Sequence, residues 1–334
     1  MKKRVFTLFI VLSMLCGCSS LKNSSQDFFA MDTFMNISVW SSSKSDADTI
    51  LSNAKKKVNE LSNRLSRQIS SSSIAKLNSA NGEPVTLDDD AYNALKQAVE
   101  LAEFTNGAFD PTTAVLSDLW GIGTDSPTVP SDEQITEALT HVGYENIVFL
   151  ENNQVKLLNG AQVDLGGIGK GYATDLVTKD ISTPILASLG GNIGAYGENP
   201  NSDNGLWSIG LADPDNNSSY IASIKIKDLS IVTSGDYERY FEQDGVRYHH
   251  IFDPKTGYPA QNELRAVTVI DRNSTRADAL TTALFVMGLD EGIKFCKDND
   301  INAVFITKEH KIYTVGSINL TLAEGADYEI TKNS

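Results

Sequence analysis

The chain has 334 residues, with 43 acidic against 28 basic side chains and a formal charge of −15. That balance argues against nucleic acid as a partner and against a polybasic membrane patch. About 300 residues remain once a leader is set aside, enough for one large domain or two intimate subdomains.

Lys2, Lys3 and Arg4 give a positive start, and residues 5–15 form an almost unbroken apolar run. The run has the length of a signal-peptide core and is short for a bilayer span. It leads into Leu15-Cys16-Gly17-Cys18, which reads as a bacterial lipobox with Cys18 as the lipidated residue. A plain secretory signal with an incidental cysteine is the alternative. The expected organisation is a signal peptide over residues 1–17, a polar lipidated tether over 18–27 and a folded domain over 28–330. Such a protein is exported and lipid-anchored to the bacterial membrane, on the outer face of the cell membrane or the periplasmic side. Removal of the leader leaves Cys18 and Cys296, so no disulfide framework is expected. Cys296, in an apolar context, reads as a small buried side chain.

Residues 36–40 alternate polar and apolar and predict a strand. Ala47, Ile50, Leu51, Ala54, Val58, Leu61 and Leu65 recur at helical spacing, with Ser45 or Asp46 as the N-cap. A second helix over residues 89–104 turns Tyr92, Leu95, Val99 and Ala102 inward and stops at Asn106-Gly107. Ser131-Asp132-Glu133-Gln134 reads as a capping box, opening a helix that buries Ile135, Ala138, Leu139 and Val142. Strands then dominate. Residues 147–150 and 155–158 flank an Asn152-Asn153 turn, and further strands are expected over 185–189, 207–211, 221–226, 230–233, 248–252 and 266–270. Helices over 275–287 and 290–297 divide near Gly288, and strands over 303–307 and 311–315 follow. Helices cluster early and strands run consecutively later. That pattern predicts an α+β domain with a mixed or antiparallel sheet and flanking helices.

Two segments carry chemistry. Asp164-Leu165-Gly166-Gly167-Ile168-Gly169-Lys170-Gly171-Tyr172 is rich in glycine, which lets backbone approach a phosphate near a helix N-terminus. It is not a Walker loop, since Gly171 follows Lys170 and Leu165 holds the first glycine position. Nor is it a dinucleotide fingerprint, since Tyr172 stands where the last glycine belongs. A tight strand-to-helix turn without ligand fits the segment equally well. Later, Asp278, Thr281 and Thr282 share one helix face by their spacing. Oxygen donors of this kind suit a hard cation such as Mg²⁺. The same residues also fit an Asp that favours the helix dipole and threonines bonded back onto the turn.

Taken in chain order, these and five further segments resemble the ApbE family of FAD:protein FMN transferases. Ala30-Met31-Asp32-Thr33-Phe34 is similar to its T-M-G-T-F motif, with Asp32 in place of glycine. Gly107-Ala108-Phe109-Asp110-Pro111-Thr112 is similar to G-x-x-D-x-T, and the stretch from Asp164 to Tyr172 to D-L-G-G-I-x-K-G-Y. Gly190-Gly191-Asn192 and Thr233-Ser234-Gly235 follow as G-G-N and T-S-G. His250-Ile251-Phe252-Asp253-Pro254-Lys255-Thr256-Gly257-Tyr258-Pro259 and Ala277-Asp278-Ala279-Leu280-Thr281-Thr282-Ala283 complete the set.

The resemblance implies Mg²⁺ held by Asp278 and Thr282, with Thr281 adjacent, and by a backbone oxygen at Gly167. It implies FAD contacts at Met31, Ala108, Phe109, Asp110, Asp164, Lys170 and the backbone near Phe252. A further contact, from the loop after the first helix, falls near Gln68. The implied reaction cleaves the FAD pyrophosphate, places FMN on a Ser or Thr hydroxyl of a target protein and releases AMP. Implied acceptors are exported flavoproteins and membrane redox-complex subunits. Asp278 and His250 are the candidates for activating the hydroxyl. Two other readings stay open: an Mg²⁺-dependent FAD pyrophosphatase giving free FMN and AMP, and a non-catalytic FAD-binding lipoprotein. The fate of FMN separates the first from transfer, and AMP release excludes the second.

Overall fold

The computed structural model describes residues 21–332; the expected signal peptide and Cys18 lie outside them. Its backbone is a nine-stranded sheet whose strands lie side by side in chain order. They are β1 (Lys22–Ala30), β2 (Thr33–Ser41), β3 (Ile185–Leu189), β4 (Asn192–Tyr196), β5 (Leu229–Gly235), β6 (Leu264–Asp271), β7 (Asn302–Thr307), β8 (Lys311–Val315) and β9 (Glu329–Lys332). Every neighbouring pair is antiparallel except β8 and β9. Everything else is inserted between these strands. Helices α1 (Lys44–Leu65), α2 (Ser73–Asn78), α3 (Asp89–Phe104), α4 (Ala114–Trp120), α5 (Asp132–Leu139) and α6 (Gly166–Thr178) fill the β2–β3 connection, and α7 (Ser274–Asp298) joins β6 to β7.

The strand pattern dictates this layering. On β2, Met35, Ile37 and Val39 alternate onto the helix side, where they meet Val58 and Leu61 of α1 in one core cluster. Trp40 turns the other way and meets Trp207 edge-on, with ring centroids 4.9 Å apart. Trp207 belongs to a second sheet (Trp207–Asp213, Asn216–Ile226 and Leu320–Leu322) that covers part of that opposite face. With both faces covered, β6 is buried at every position but its last. The α+β expectation therefore holds in its single-domain form, since one sheet spans both halves of the chain.

Several boundaries differ from the sequence reading, each for a local reason. The stretch read as a tether overlaps β1, which pairs with β2 in unbroken register from Lys22↔Ser41 to Ala30↔Thr33. An edge strand needs little apolar surface, and only Phe28 and Ala30 on it are buried, so its polarity hid it. The N-cap of α1 is Ser43, whose hydroxyl accepts the Asp46 N–H, rather than Ser45 or Asp46. The strand expected over residues 248–252 ends at His249: beyond it Ile251 O accepts the Ala260 N–H and Phe252 bridges Pro259, so the chain leaves its hairpin partner. The division near Gly288 is real: α7 breaks there, with φ 78° and ψ −176°.

The glycine-rich segment is the main surprise. Gly166, Gly167, Gly169 and Gly171 lie inside α6 rather than before it. Glycine within a helix costs about 0.5–1 kcal/mol relative to alanine, so a compensating contact is required. At Gly171 that contact is α7: a Cβ there would stand 2.3 Å from Ser274 O and 2.8 Å from Asp278 Cβ. A second tie lies one turn along, where the Asp175 carboxylate of α6 accepts the Ser274 and Thr275 N–H groups, each at 2.8 Å. Asp175 thus places negative charge at the N-terminus of α7, where the helix dipole favours it. Gly171→Ala is expected to force the helices apart and cost on the order of 1–3 kcal/mol. Urea denaturation checks this, and an unchanged midpoint would show that the close approach is not required.

Candidate active site

α6 and α7 run antiparallel and meet one turn at a time. Asp175 holds the start of α7, Gly171 meets Asp278, and Gly167 faces Thr282. Asp278 is only 3% exposed, and its Oδ2 accepts the Gly171 N–H at 2.8 Å. Among the described residues Oδ1 has no hydrogen-bond partner, and no cationic side chain pairs with the carboxylate. An isolated buried carboxylate is costly unless a cation meets it. Thr282 is half-buried, its hydroxyl equally without a partner among the described residues, and its Oγ1 lies 3.6 Å from a Cβ built on Gly167. An uninterrupted helix aims the Gly171 N–H at Gly167 C=O. Here Asp278 Oδ2 accepts from that same donor, which places its carboxylate beside the first turn of α6. One carboxylate oxygen, one hydroxyl and one carbonyl form an all-oxygen donor set that fits Mg²⁺.

Thr281 does not belong with that set. It is fully buried, and its Oγ1 donates to Asp278 O at 2.7 Å and lies 2.8 Å from Ser234 Oγ. Its hydroxyl is occupied in locking α7 onto the end of β5. The sequence spacing could not tell the two threonines apart, because both follow Asp278 within one turn.

The remaining candidates surround this seam. Phe109 is buried with its ring edge 3.1 Å from a Cβ built on Gly167, so it floors the glycine turn. Ala108 is buried beside it. Asp110, expected to meet FAD, follows Phe109, and its carboxylate is used internally. It accepts the Thr112 N–H and hydroxyl at 2.8 and 2.6 Å and the Tyr144 N–H at 2.9 Å. Burial raises its pKa, and those hydrogen bonds oppose the rise. Asp110 is therefore a staple that shapes the Phe109 turn.

Asp164 accepts the Gly166 N–H at 2.8 Å and pairs with Arg67 Nε at 2.9 Å. Arg67 also reaches Asp118 at 2.8 Å, so it pins the loop after α1 beside the glycine turn. Gln68, next along that loop, is exposed and bonds only through its backbone to Ser66 among the described residues. Met31 sits in the β1–β2 hairpin turn with φ 48°, followed by Asp32 with φ 58°. Two left-handed residues make the turn that favours glycine, and Asp tolerates it. Met31 N–H reaches Ser62 of α1 at 3.3 Å.

Lys170 is half-buried, and its charge bears on both His250 and Glu238. Desolvation pulls the His250 pKa down to about 3, with His249, Arg239 and Lys170 reinforcing it, so the imidazole is neutral at pH 7. Its Nδ1 lies 3.3 Å from Arg239 O. Glu238 was not singled out from sequence; desolvation raises its pKa, Lys170 and Arg239 oppose that, and Asp278 adds to it. Phe252 is buried against Trp120 of α4, and Trp120 Nε1 donates to Gly257 O at 2.9 Å, fixing the turn that follows His250.

The family model described as "ApbE family" matches residues 31–305. The FAD:protein FMN transferase of Treponema pallidum is 36% identical over 268 residues, covering 74% of each chain. Among solved structures, the ApbE protein of Thermotoga maritima superposes with a TM-score of 0.80 at 36% identity, covering 91% of this chain and 97% of its own. The apo flavinyl transferase ApbE of Pseudomonas stutzeri gives a TM-score of 0.78 at 28% identity, covering 91% and 96%. With the family match spanning most of its length and a seam of glycines and acidic side chains at its centre, the chain belongs to the ApbE family.

Proposed function

We propose that this protein is an Mg²⁺-dependent FAD:protein FMN transferase. The observation that carries the proposal is the buried Asp278 carboxylate without a counter-ion, facing Thr282 and the glycine turn of α6. The names of its relatives agree with the activity. Asp278 Oδ1, Thr282 Oγ1 and the Gly167 carbonyl would hold the metal. When bound, Mg²⁺ neutralises the pyrophosphate charge and eases departure of AMP. Phosphoryl transfer needs alignment and electrostatic support more than covalent help, and this chain's residues supply both. Asp164, Lys170, Met31 and Gln68 flank the dinucleotide, while Ala108, Phe109 and the backbone near Phe252 form its walls. The oxygen of an acceptor Ser or Thr attacks the FMN phosphorus, the bond to the bridging oxygen breaks, and AMP leaves. His250 takes the hydroxyl proton, a role its neutral ring permits at pH 7. Acceptors are exported flavoproteins and membrane redox-complex subunits, met at the membrane to which Cys18 anchors the enzyme.

Purified protein, FAD, Mg²⁺ and a candidate acceptor are expected to yield an acceptor heavier by one FMN in mass spectrometry. Free FMN and AMP alone would instead mark a pyrophosphatase, and absence of AMP a carrier. Asp278→Ala is expected to abolish transfer without unfolding the protein. Thr282→Val should raise the Mg²⁺ requirement. Thr281→Val should lower thermal stability and leave that requirement near wild type; equal Mg²⁺ titrations for both threonine variants would overturn the distinction. His250→Ala is expected to slow single-turnover transfer while FAD binding persists. Because the pKa of His250 is depressed, protonation disables it only well below the usual histidine range. The rate therefore should not fall between about pH 7.5 and 6, across the ordinary histidine pKa; a decline centred there would overturn the assignment.

A further inference from the structure

Asn192 opens β4, is fully buried, and has no hydrogen-bond partner for either Oδ1 or Nδ2 among the described residues. A buried carboxamide in that state weakens a core that an apolar side chain of similar size would strengthen. Such a group calls for an explanation in what the protein binds.

Strand register says where the side chain points. The Cα partners of Asn192 are Leu189 on β3 and Val232 on β5. Leu189 belongs to the core beneath α6, and Val232 to the core beneath α7. Cross-strand partners share a face, so Asn192 lies on the helix side, between the two cores. Two residues along that face, a Cβ on Gly194 would touch Thr174 of α6 at 2.8 Å. Two residues along from Val232, Ser234 meets Thr281 of α7. Asn192 therefore lies under the seam where Gly171 N–H donates to Asp278.

We propose that Asn192 is a positioning residue for the cation, its amide holding a water of the metal's hydration shell beneath Asp278. The inference rests on the reading of Asp278 and Thr282 as cation ligands. Mg²⁺ keeps several of its waters when bound to protein. Groups that orient a metal's surroundings from behind its ligands alter affinity about 10–100-fold when removed.

Asn192→Leu and Asn192→Ala test this on the intact folded chain, with two readouts. The first is the melting temperature without ligand. The second is the Mg²⁺ concentration at which FAD-dependent thermal stabilisation is half-maximal. Asn192→Leu is expected to melt at or above wild type when ligand-free, and both variants to need about 10–100-fold more Mg²⁺. Should the leucine variant fail to fold, the alanine variant carries the Mg²⁺ readout alone. A wild type that needs Mg²⁺, with variants that need the same concentration, overturns this inference and spares the metal reading. A wild type whose FAD response ignores Mg²⁺ overturns both.

Discussion

The hydrogen bond from Gly171 N–H to Asp278 Oδ2 is the constraint on which the rest of the site depends. It forms only because α6 presents bare backbone where it crosses α7, and any Cβ there collides with Ser274 O. The same contact fixes one oxygen of Asp278 and leaves the other without a hydrogen-bond partner among the described residues. Asp175 sets the axial position of α7 by capping its first N–H groups, so the matched pairs downstream fall into step. A slip of one residue would rotate Asp278 away by about 100° and dissolve the donor set.

Electrostatics then bear on what the seam can hold. A chain of charge −15 that buries Asp278 and places Glu238 within its field cannot leave that locus to an anion unaided. The divalent cation proposed at Asp278 would resolve the conflict and supply the countercharge a pyrophosphate needs. Lys170 lies where it touches both sides of the balance, moderating Glu238 while helping to keep His250 neutral. The raised Glu238 carboxyl and the neutral imidazole are thus two consequences of one arrangement of charges.

Much of this was legible in the sequence, and the failures have physical causes. Segments with strong periodicity or explicit caps were read closely: α3 spans Asp89–Phe104 as expected, and the Ser131 capping box is present. Ordered glycine and aspartate motifs pointed to α6 and α7, which the fold does bring together. What could not be read was three-dimensional satisfaction. Thr281 and Thr282 look alike until Ser234 occupies one of them, and the sequence does not show that the Asp110 carboxylate binds Thr112 and the Tyr144 N–H. Arg67 carried no motif, because its significance lies in bridging Asp118 and Asp164 from a loop with no periodic signal. Edge strand β1 escaped because backbone pairing, rather than side-chain burial, holds it.

The hairpin turn at Met31 and Asp32 shows how a departure from the family pattern can still be consistent with it. Both residues have positive φ, a conformation glycine adopts freely and other residues adopt at some cost. Aspartate is among the side chains that tolerate it, so the turn and the β1–β2 register survive the replacement. What changes is charge, since Asp32 is exposed beside a residue expected to meet the flavin dinucleotide. A carboxylate there repels a bare pyrophosphate and not one neutralised by a cation. Under the proposed cation site at Asp278, the substitution would make this chain's use of its nucleotide depend more strongly on that ion, the same dependence that a buried, unpaired Asp278 would impose from below.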